Sequence, residues 1–254
     1  MRFSPRWVVA VAAVLLASSA SWVSAQPRIE PRATDLFKKM SDYLGGTKAF
    51  SVRASFRQEV VLVTGQKLEY ESWSQVSVRR PDRLRTSRHG VLENIEFYYD
   101  GKTATLFRKE ANFYAVEPVP PTVDGMFDAM RARVDIDIPG SDLIYGDAYA
   151  GMMENVTDAM YVGLEDIGGS RAHHLAFRDS DVDWQVWIQD GEKPLPVKYV
   201  ITTKWTTGAP ALAVALTDWD LAPRLDDATF AFVPPPGALK IDFRRPPDVP
   251  AARR

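Results

Sequence analysis

A long alternation of apolar and polar side chains most constrains the fold of this chain. Over residues 50–62, Val52 and Phe56 fall on one side of an extended chain, and Arg53 and Arg57 fall on the other. A period of two residues is the pattern of a β-strand that buries one face and exposes the other. Shorter alternating runs, separated by turn sequences, follow it. The pattern predicts an antiparallel meander with strands over residues 50–62, 68–78, 83–88, 95–99, 104–108 and 113–116.

The alternation stops between residues 118 and 156, where apolar side chains recur at helical spacing. Val123, Met126 and Met130 belong to one helical stripe, and a weaker pattern after residue 140 predicts a second helix. Another helix is predicted before the meander. Because amphipathic helices must bury their apolar stripes, we expect them to pack on the open face of the sheet. The fold class is therefore mainly β with helices (α+β), with further strands over residues 160–166, 173–177, 182–188, 197–205 and 212–221 and an additional edge strand over residues 230–233.

The N-terminus has the three parts of a secretory signal peptide. Arg2 and Arg6 precede an apolar run over residues 7–16, and Val23-Ser24-Ala25 supplies the small residues of a cleavage site. The apolar run is shorter than the ~20 residues that span a bilayer; an uncleaved anchor is the alternative interpretation. We expect cleavage after Ala25 and export to the periplasm. The predicted divisions are a signal peptide (1–25), a single domain (26–243) and a disordered Pro- and Arg-rich tail (244–254).

The composition removes several classes of chemistry. The chain contains no cysteine, which excludes disulfides, thiol nucleophiles, thiolate metal sites and a lipid-anchored cysteine at the mature N-terminus. Its formal net charge is −2, and charges of both signs are interspersed. Such a balance offers no basic surface to a nucleic acid. We therefore expect a globular monomer with no nucleic-acid partner.

Candidate catalytic and metal-binding residues are few. His173 and His174 are adjacent, and adjacent residues of a strand face opposite sides of the sheet. The carboxylates form two clusters: Asp135, Asp137 and Asp142, and Asp179, Asp181 and Asp183. The second has the alternate spacing of a calcium loop but lacks the glycine and distal glutamate of an EF-hand, and turn chemistry explains it equally well. No catalytic residue, metal or cofactor is predicted.

The methionine and aromatic residues suggest an apolar binding site. Methionine side chains adapt to irregular partners, and ligand pockets are mostly apolar. The alternative is that these side chains have a purely structural role and fill the core between helices and sheet. Of the nearby pair Trp184 and Trp187, only one faces inward, and Trp184 is favoured because its neighbours on that face are apolar. The predicted cavity residues are Phe56, Tyr70, Phe97, Tyr99, Met126, Phe127, Met130, Met152, Trp184 and Trp205.

The C-terminal half carries a recognisable series of motifs. The run from Asp183 to Ile188, the segment Lys193-Pro194-Leu195-Pro196 and the run from Phe232 to Ala238 resemble the DUF2092 family of predicted periplasmic proteins. That family is similar to the LolA/LolB-like superfamily of lipoprotein carriers. The resemblance implies a curved antiparallel sheet that forms an incomplete barrel, closed on its concave side by helices over a hydrophobic cavity. It brings no catalytic residues with it.

Three functions follow from these observations. The resemblance favours a carrier for a lipid or a lipoprotein acyl chain, and not an enzyme. A regulatory or scaffold protein that binds a membrane-associated protein partner through the same fold is the first alternative. A hydrolase or isomerase is the second, and its candidate titratable residues are Asp218, Asp220 and His174.

Overall fold

The computed structural model describes residues 29–134, 138 and 140–243. The predicted signal peptide and the predicted C-terminal tail lie outside the described residues, as do Asp135 and Asp137 of the first carboxylate cluster. No helix in the described part of the chain combines the length and apolar character needed to cross a membrane.

Three α-helices and twelve β-strands are formed by the described residues. The helices are α1 (Pro31–Gly46), α2 (Val123–Val134) and α3 (Ala148–Met153). The strands are β1 (Ala49–Val61), β2 (Lys67–Arg79), β3 (Arg83–Gly90), β4 (Asn94–Tyr99), β5 (Thr103–Arg108), β6 (Phe113–Pro118), β7 (Asp158–Ile167), β8 (Ser170–Arg178), β9 (Val182–Gln189), β10 (Pro196–Thr203), β11 (Ala211–Asp220) and β12 (Leu239–Ile241).

The strands form one large, curved and unclosed sheet, which confirms the predicted mainly β fold. Strands β1 to β6 form one antiparallel meander, and strands β7 to β11 form another. The pairing of β1 with β11 joins the two meanders in the middle of the sheet. Strands β7 and β12 form its edges in the described residues.

The alternation of β1 gives the sheet two chemically different faces. Val52, Ala54 and Phe56 are buried, and we call the face that carries them the inner face. Arg53 and Arg57 are exposed on the opposite, outer face. β1 pairs along its whole length with β2 and over residues 51–58 with β11, and this pairing on both sides stabilises so long a strand.

Two groups of buried side chains stabilise the inner face. The first combines α2 with the first meander, and Met126 and Met130 of α2 are completely buried in it. The second combines α1 with strands β8 to β10. In the second group the rings of Phe177 and Trp184 stack 3.9 Å apart, and Phe37 of α1 lies 5.1 Å from Trp184. Each half of the sheet therefore has its own helix and its own apolar core.

The C-terminal segment differs from the sequence expectation. An edge strand was predicted at residues 230–233, but Asp227–Phe230 forms a 3-10 turn, and β12 pairs with β6 farther along the chain. Phe230 is buried, and Phe232 packs against three aromatic rings of the outer face. Ring burial and the following prolines, which lack backbone N–H donors, favour this path over a ladder.

Candidate ligand-binding cavity

A cavity of about 440 Å³ lies between the inner face of the first meander and α2. Strands β1 to β5 provide most of its wall, and Phe127 of α2 together with Ile138 and Ile144 provides the rest. Its volume lies within the range of about 300–1,000 Å³ that is typical of ligand pockets. The lining residues are Phe56, Gln58, Ser74, Val76, Leu84, Thr86, Ser87, Arg88, Glu93, Ile95, Phe97, Leu106, Arg108, Phe127, Ile138 and Ile144.

The deep part of the cavity is apolar. Val76, Leu84 and Phe97 are buried side chains of three successive strands, and Phe127 approaches them from α2. Deeper still, Tyr99 donates a hydrogen bond of 2.7 Å from its hydroxyl to the carbonyl oxygen of Pro120. Because that hydroxyl is satisfied by the backbone, it presents no unpaired polar group to an apolar ligand.

Polar groups are concentrated at the other end of the cavity, near the start of β4. Arg88 is the central one: only 11% of its side chain is exposed, and its guanidinium lies 4.6 Å from the ring centre of Phe56. It donates hydrogen bonds to Ser72 Oγ at 3.0 Å and to Gln58 Oε1 at 3.1 Å. Glu93 Oε2 lies 3.3 Å from Arg88 Nη1. Burial lowers the pKa of Arg88, and the nearby Glu93 charge opposes that shift.

Arg108 adds a second cation at this end. It lies at the end of β5, is exposed, and has no ion-pair partner among the residues that the structure describes. The cavity therefore has a polar, positively charged mouth formed by Gln58, Arg88, Glu93 and Arg108, and an apolar interior. This is the arrangement that suits an amphiphilic ligand, whose chain is buried and whose polar group stays at the opening.

The structure brings three of the ten predicted cavity residues to this cavity. Phe56, Phe97 and Phe127 line it directly. Tyr70 pairs with Gln58 across β1 and β2, so it lies on the same face, beside the mouth. Met152 and Trp184 line a separate pocket of about 370 Å³ between α3 and the second meander.

The remaining predicted cavity residues occupy other positions. Tyr99, Met126 and Met130 are fully buried in the core cluster next to the cavity, and none of them lines it. Trp205 is a correction to the sequence prediction. It follows the end of β10, in the connection to β11, and 67% of its surface is exposed. A residue in a turn beyond the sheet has no inner face to occupy.

The titratable residues considered for catalysis are also separated: Asp218 and Asp220 lie on β11, and His173 and His174 lie on β8, with β9 and β10 between them. His173 contacts Tyr161 and Asp190, whereas His174 stacks on Trp187 on the other face. No group of three or more His, Asp or Glu side chains within the described ranges is arranged to hold a metal ion.

The polar mouth was missed by the sequence analysis, although a signal for it exists. Gln58 occupies an inward position of β1 directly after the apolar series that ends with Phe56. Arg88 occupies an inward position of β3. A polar residue at an inward position of an amphipathic strand indicates that a binding site, and not packed core, lies beside it.

The chain belongs to the DUF2092 family, described as predicted periplasmic proteins, because that family matches residues 33–244. The family resemblance seen in the sequence is thereby confirmed. No curated protein matches the sequence.

Solved structures are similar to this chain at low sequence identity, and two of them share its fold with a TM-score of 0.50. An uncharacterised conserved protein from Thermus thermophilus is 12% identical, with a TM-score of 0.50 over 83% of this chain and 99% of that one. The lipoprotein LppX from Mycobacterium tuberculosis is 13% identical, with a TM-score of 0.50 over 78% of this chain and 100% of that one. A LolA superfamily protein from Nitrosomonas europaea is 11% identical, with a TM-score of 0.40 over 79% and 97% of the two chains.

Proposed function

We propose that this protein is an exported carrier that holds the acyl chain of a lipid or lipoprotein between its curved sheet and its helices. The observation that carries the proposal is the 440 Å³ cavity with an apolar interior and a cationic mouth. In this proposal, α2 together with Ile138 and Ile144 closes the concave side of the sheet over the ligand. Membership of a family of predicted periplasmic proteins supports export. Cleavage after Ala25 remains part of the proposal.

The free energy available in such a cavity is sufficient for binding. Burial of one methylene group contributes about 0.8 kcal/mol, so twelve carbons contribute on the order of 10 kcal/mol before the costs of association. The interior can therefore retain a chain without any charged contact. Arg88 and Arg108 then select the polar group, and they favour an anionic one because both are cations at the opening.

Filling the cavity tests the proposal. Leu106 lies in β5 and lines the cavity, so Leu106→Trp places a larger ring in the space meant for the ligand. We expect the folded protein to lose at least tenfold in affinity for a fluorescent fatty acid, measured after the purified protein has been delipidated. Its unfolding free energy should change little, because the ring enters empty space.

A matched control is available in the same molecule. Leu239 of β12 is exposed at the sheet edge, and Leu239→Trp adds the same volume away from the cavity. It should bind the probe as the unchanged protein does. If Leu106→Trp instead binds normally and loses about 1–3 kcal/mol of stability, the site is ordinary packed core and the carrier proposal is wrong.

Strand β7 favours a second candidate function, the binding of a protein partner. It is an edge strand of ten residues with three exposed apolar side chains, Met160, Val162 and Leu164. Ile29 and Glu30 already contact the edge at Ala159 and Tyr161, and the rest of β7 can accept a further strand from another chain. Val162→Lys should abolish capture of a partner from a periplasmic extract while acyl binding persists. If Val162→Lys and the unchanged protein capture the partner equally, β7 is not the contact.

A further inference from the structure

A row of side chains crosses the outer face of the sheet, opposite to the cavity. In register from β3 to β10, the row consists of His89, Trp73, Ser55, Ala215 and Lys198. Two small residues occupy its centre, and larger side chains stand on both sides. Because successive residues of a strand alternate between faces, Ser55 points away from the cavity that its neighbour Phe56 lines.

The small residues form the floor of a groove of about 730 Å³. Ser55, Ala213 and Ala215 leave the middle of the sheet uncovered. Val91, in the turn after β3, borders the groove on the side of Trp73, and Ile167, at the end of β7, borders it on the side of Lys198. Trp73 and Lys198 are three strand spacings apart, or about 14 Å, which is room for a ligand of about two sugar rings.

Trp73 is an aromatic platform within this groove. Its ring centre lies 4.3 Å from that of His89, and 51% of the residue is exposed. His89 is itself held by a 2.8 Å hydrogen bond between its Nδ1 and Asn94 Oδ1. Ser55, the neighbour of Trp73 on β1, is too small to cover the indole from the other side. The negative face of an indole ring attracts the C–H groups of a sugar ring.

The charges beside this platform favour an anion. Arg57 is exposed and forms no ion pair with any residue in the described ranges, including Glu71, which faces it directly across β1 and β2. The Lys198 amine lies 4.5 Å from the ring centre of Trp187, which fixes its position without neutralising its charge. Two cations and one carboxylate thus line the groove, in a protein whose overall charge is −2.

We propose that this outer groove binds an anionic saccharide. One sugar ring stacks on Trp73, and a carboxylate or phosphate group of the saccharide lies between Arg57 and Lys198. The site is independent of the acyl cavity, because it uses the opposite face of the sheet. It gives the protein a second ligand class, a charged glycan, in addition to a lipid.

Two disaccharides of matched size test the charge requirement. The probes are N-acetylglucosaminyl-N-acetylmuramic acid, which carries a carboxylate, and N,N′-diacetylchitobiose, which is neutral; N-acetylglucosamine 1-phosphate tests phosphate in its place. We expect isothermal titration calorimetry to show saturable binding of an acidic sugar, at least tenfold tighter than binding of the neutral disaccharide. The tighter of the two acidic sugars identifies the anion.

Variants then assign the binding to the groove. Trp73→Ala should lower the affinity for the acidic sugar at least tenfold, and Lys198→Gln should remove the preference for acid over neutral sugar. Trp205→Ala, at an exposed tryptophan outside the groove, should change neither. Circular dichroism confirms that each variant is folded.

Two results would overturn the proposal: no saturable binding of either acidic sugar, or binding that Trp73→Ala leaves unchanged. Equal affinity for the neutral disaccharide would also overturn it, because the charges would then have no role. The fatty acid assay is run on the same variants. Because it measures binding in the acyl cavity, its result tests the carrier proposal separately from the saccharide proposal.

Discussion

The guanidinium group of Arg88 lies beside an apolar cavity and contacts four neighbouring side chains, which hold it in place. Ser72 and Gln58 accept its hydrogen bonds, Glu93 balances its charge, and the ring of Phe56 lies beneath it. An arginine positioned in this way is pre-organised. Binding of an anion then costs less side-chain entropy, because that freedom was already lost on folding.

Replacing Arg88 by Ala tests that role. The change leaves Glu93 without its ion partner and removes the donor to Ser72 and Gln58, so the unfolding free energy should fall by about 1–3 kcal/mol. Affinity for an acyl probe with a carboxylate should fall at least tenfold, whereas affinity for the corresponding alcohol should fall much less. Urea unfolding and fluorescence titration measure the two effects.

Arg108→Ala provides the comparison at an exposed cation of the same mouth. It should change stability by less than about 0.5 kcal/mol. If Arg88→Ala weakens the carboxylate and the alcohol probes equally, Arg88 serves the packing of the mouth and does not recognise the headgroup.

At the scale of elements, regular periodicity was a reliable guide. The strand predicted over residues 50–62 is β1, Ala49–Val61, and the stripe that starts at Val123 becomes α2, which ends at Val134. The C-terminal segment was not predictable in this way. Phe232 packs against aromatic rings of distant strands, and the ring centre of Phe230 lies 5.3 Å from the guanidinium group of Arg79. Local propensity contains neither of these long-range contacts.

Three strands of the second meander are joined by one carboxylate. Asp183 of β9 accepts hydrogen bonds of 2.9 and 3.1 Å from Arg178 of β8, and Lys204, just after β10, lies 3.1 Å away. Arg178 lowers the pKa of Asp183, partial burial opposes the shift, and Lys204 lowers the pKa further.

The direction of this shift fixes the pH dependence. Because the pKa in the folded protein is below the unfolded value of about 3.9, Asp183 stabilises the fold above about pH 4. That contribution is lost as the pH falls through the lowered pKa. Asp183→Asn should therefore be less stable than the unchanged protein at pH 7 and nearly equal to it at pH 2, by urea unfolding.

A matched substitution controls for the loss of a carboxylate as such. Asp166 is exposed on β7 and forms no ion pair within the described part of the chain. Asp166→Asn should leave the difference between the two pH values unchanged. A stability deficit of Asp183→Asn that is the same at pH 7 and pH 2 would show that the ion pairs do not contribute.

At the scale of the whole molecule, similar residues have different roles in the two halves of the sheet. Phe97 in the first meander lines a cavity, whereas Phe177 in the second is buried in an aromatic core between Phe37 and Trp184. Both are aromatic residues on inward positions of amphipathic strands. The sequence therefore predicts the face on which each lies, but the space beside it depends on how closely a helix approaches.

The same limit on sequence prediction explains why only some of the predicted cavity residues line the cavity. Met126 and Phe127 are neighbours on α2, and one is core while the other lines the cavity. Helical periodicity assigns both to the buried side. Only the tertiary position of α2 distinguishes them.

Native mass spectrometry of the protein, purified from the periplasm without detergent, tests the central claim most directly. The carrier account predicts a mature chain that begins at Gln26 and carries a mass excess of several hundred daltons. That excess should disappear on organic extraction and return on incubation with lipid vesicles. A bare mature mass, before and after incubation with vesicles, would contradict the carrier account and favour the protein-binding function of β7.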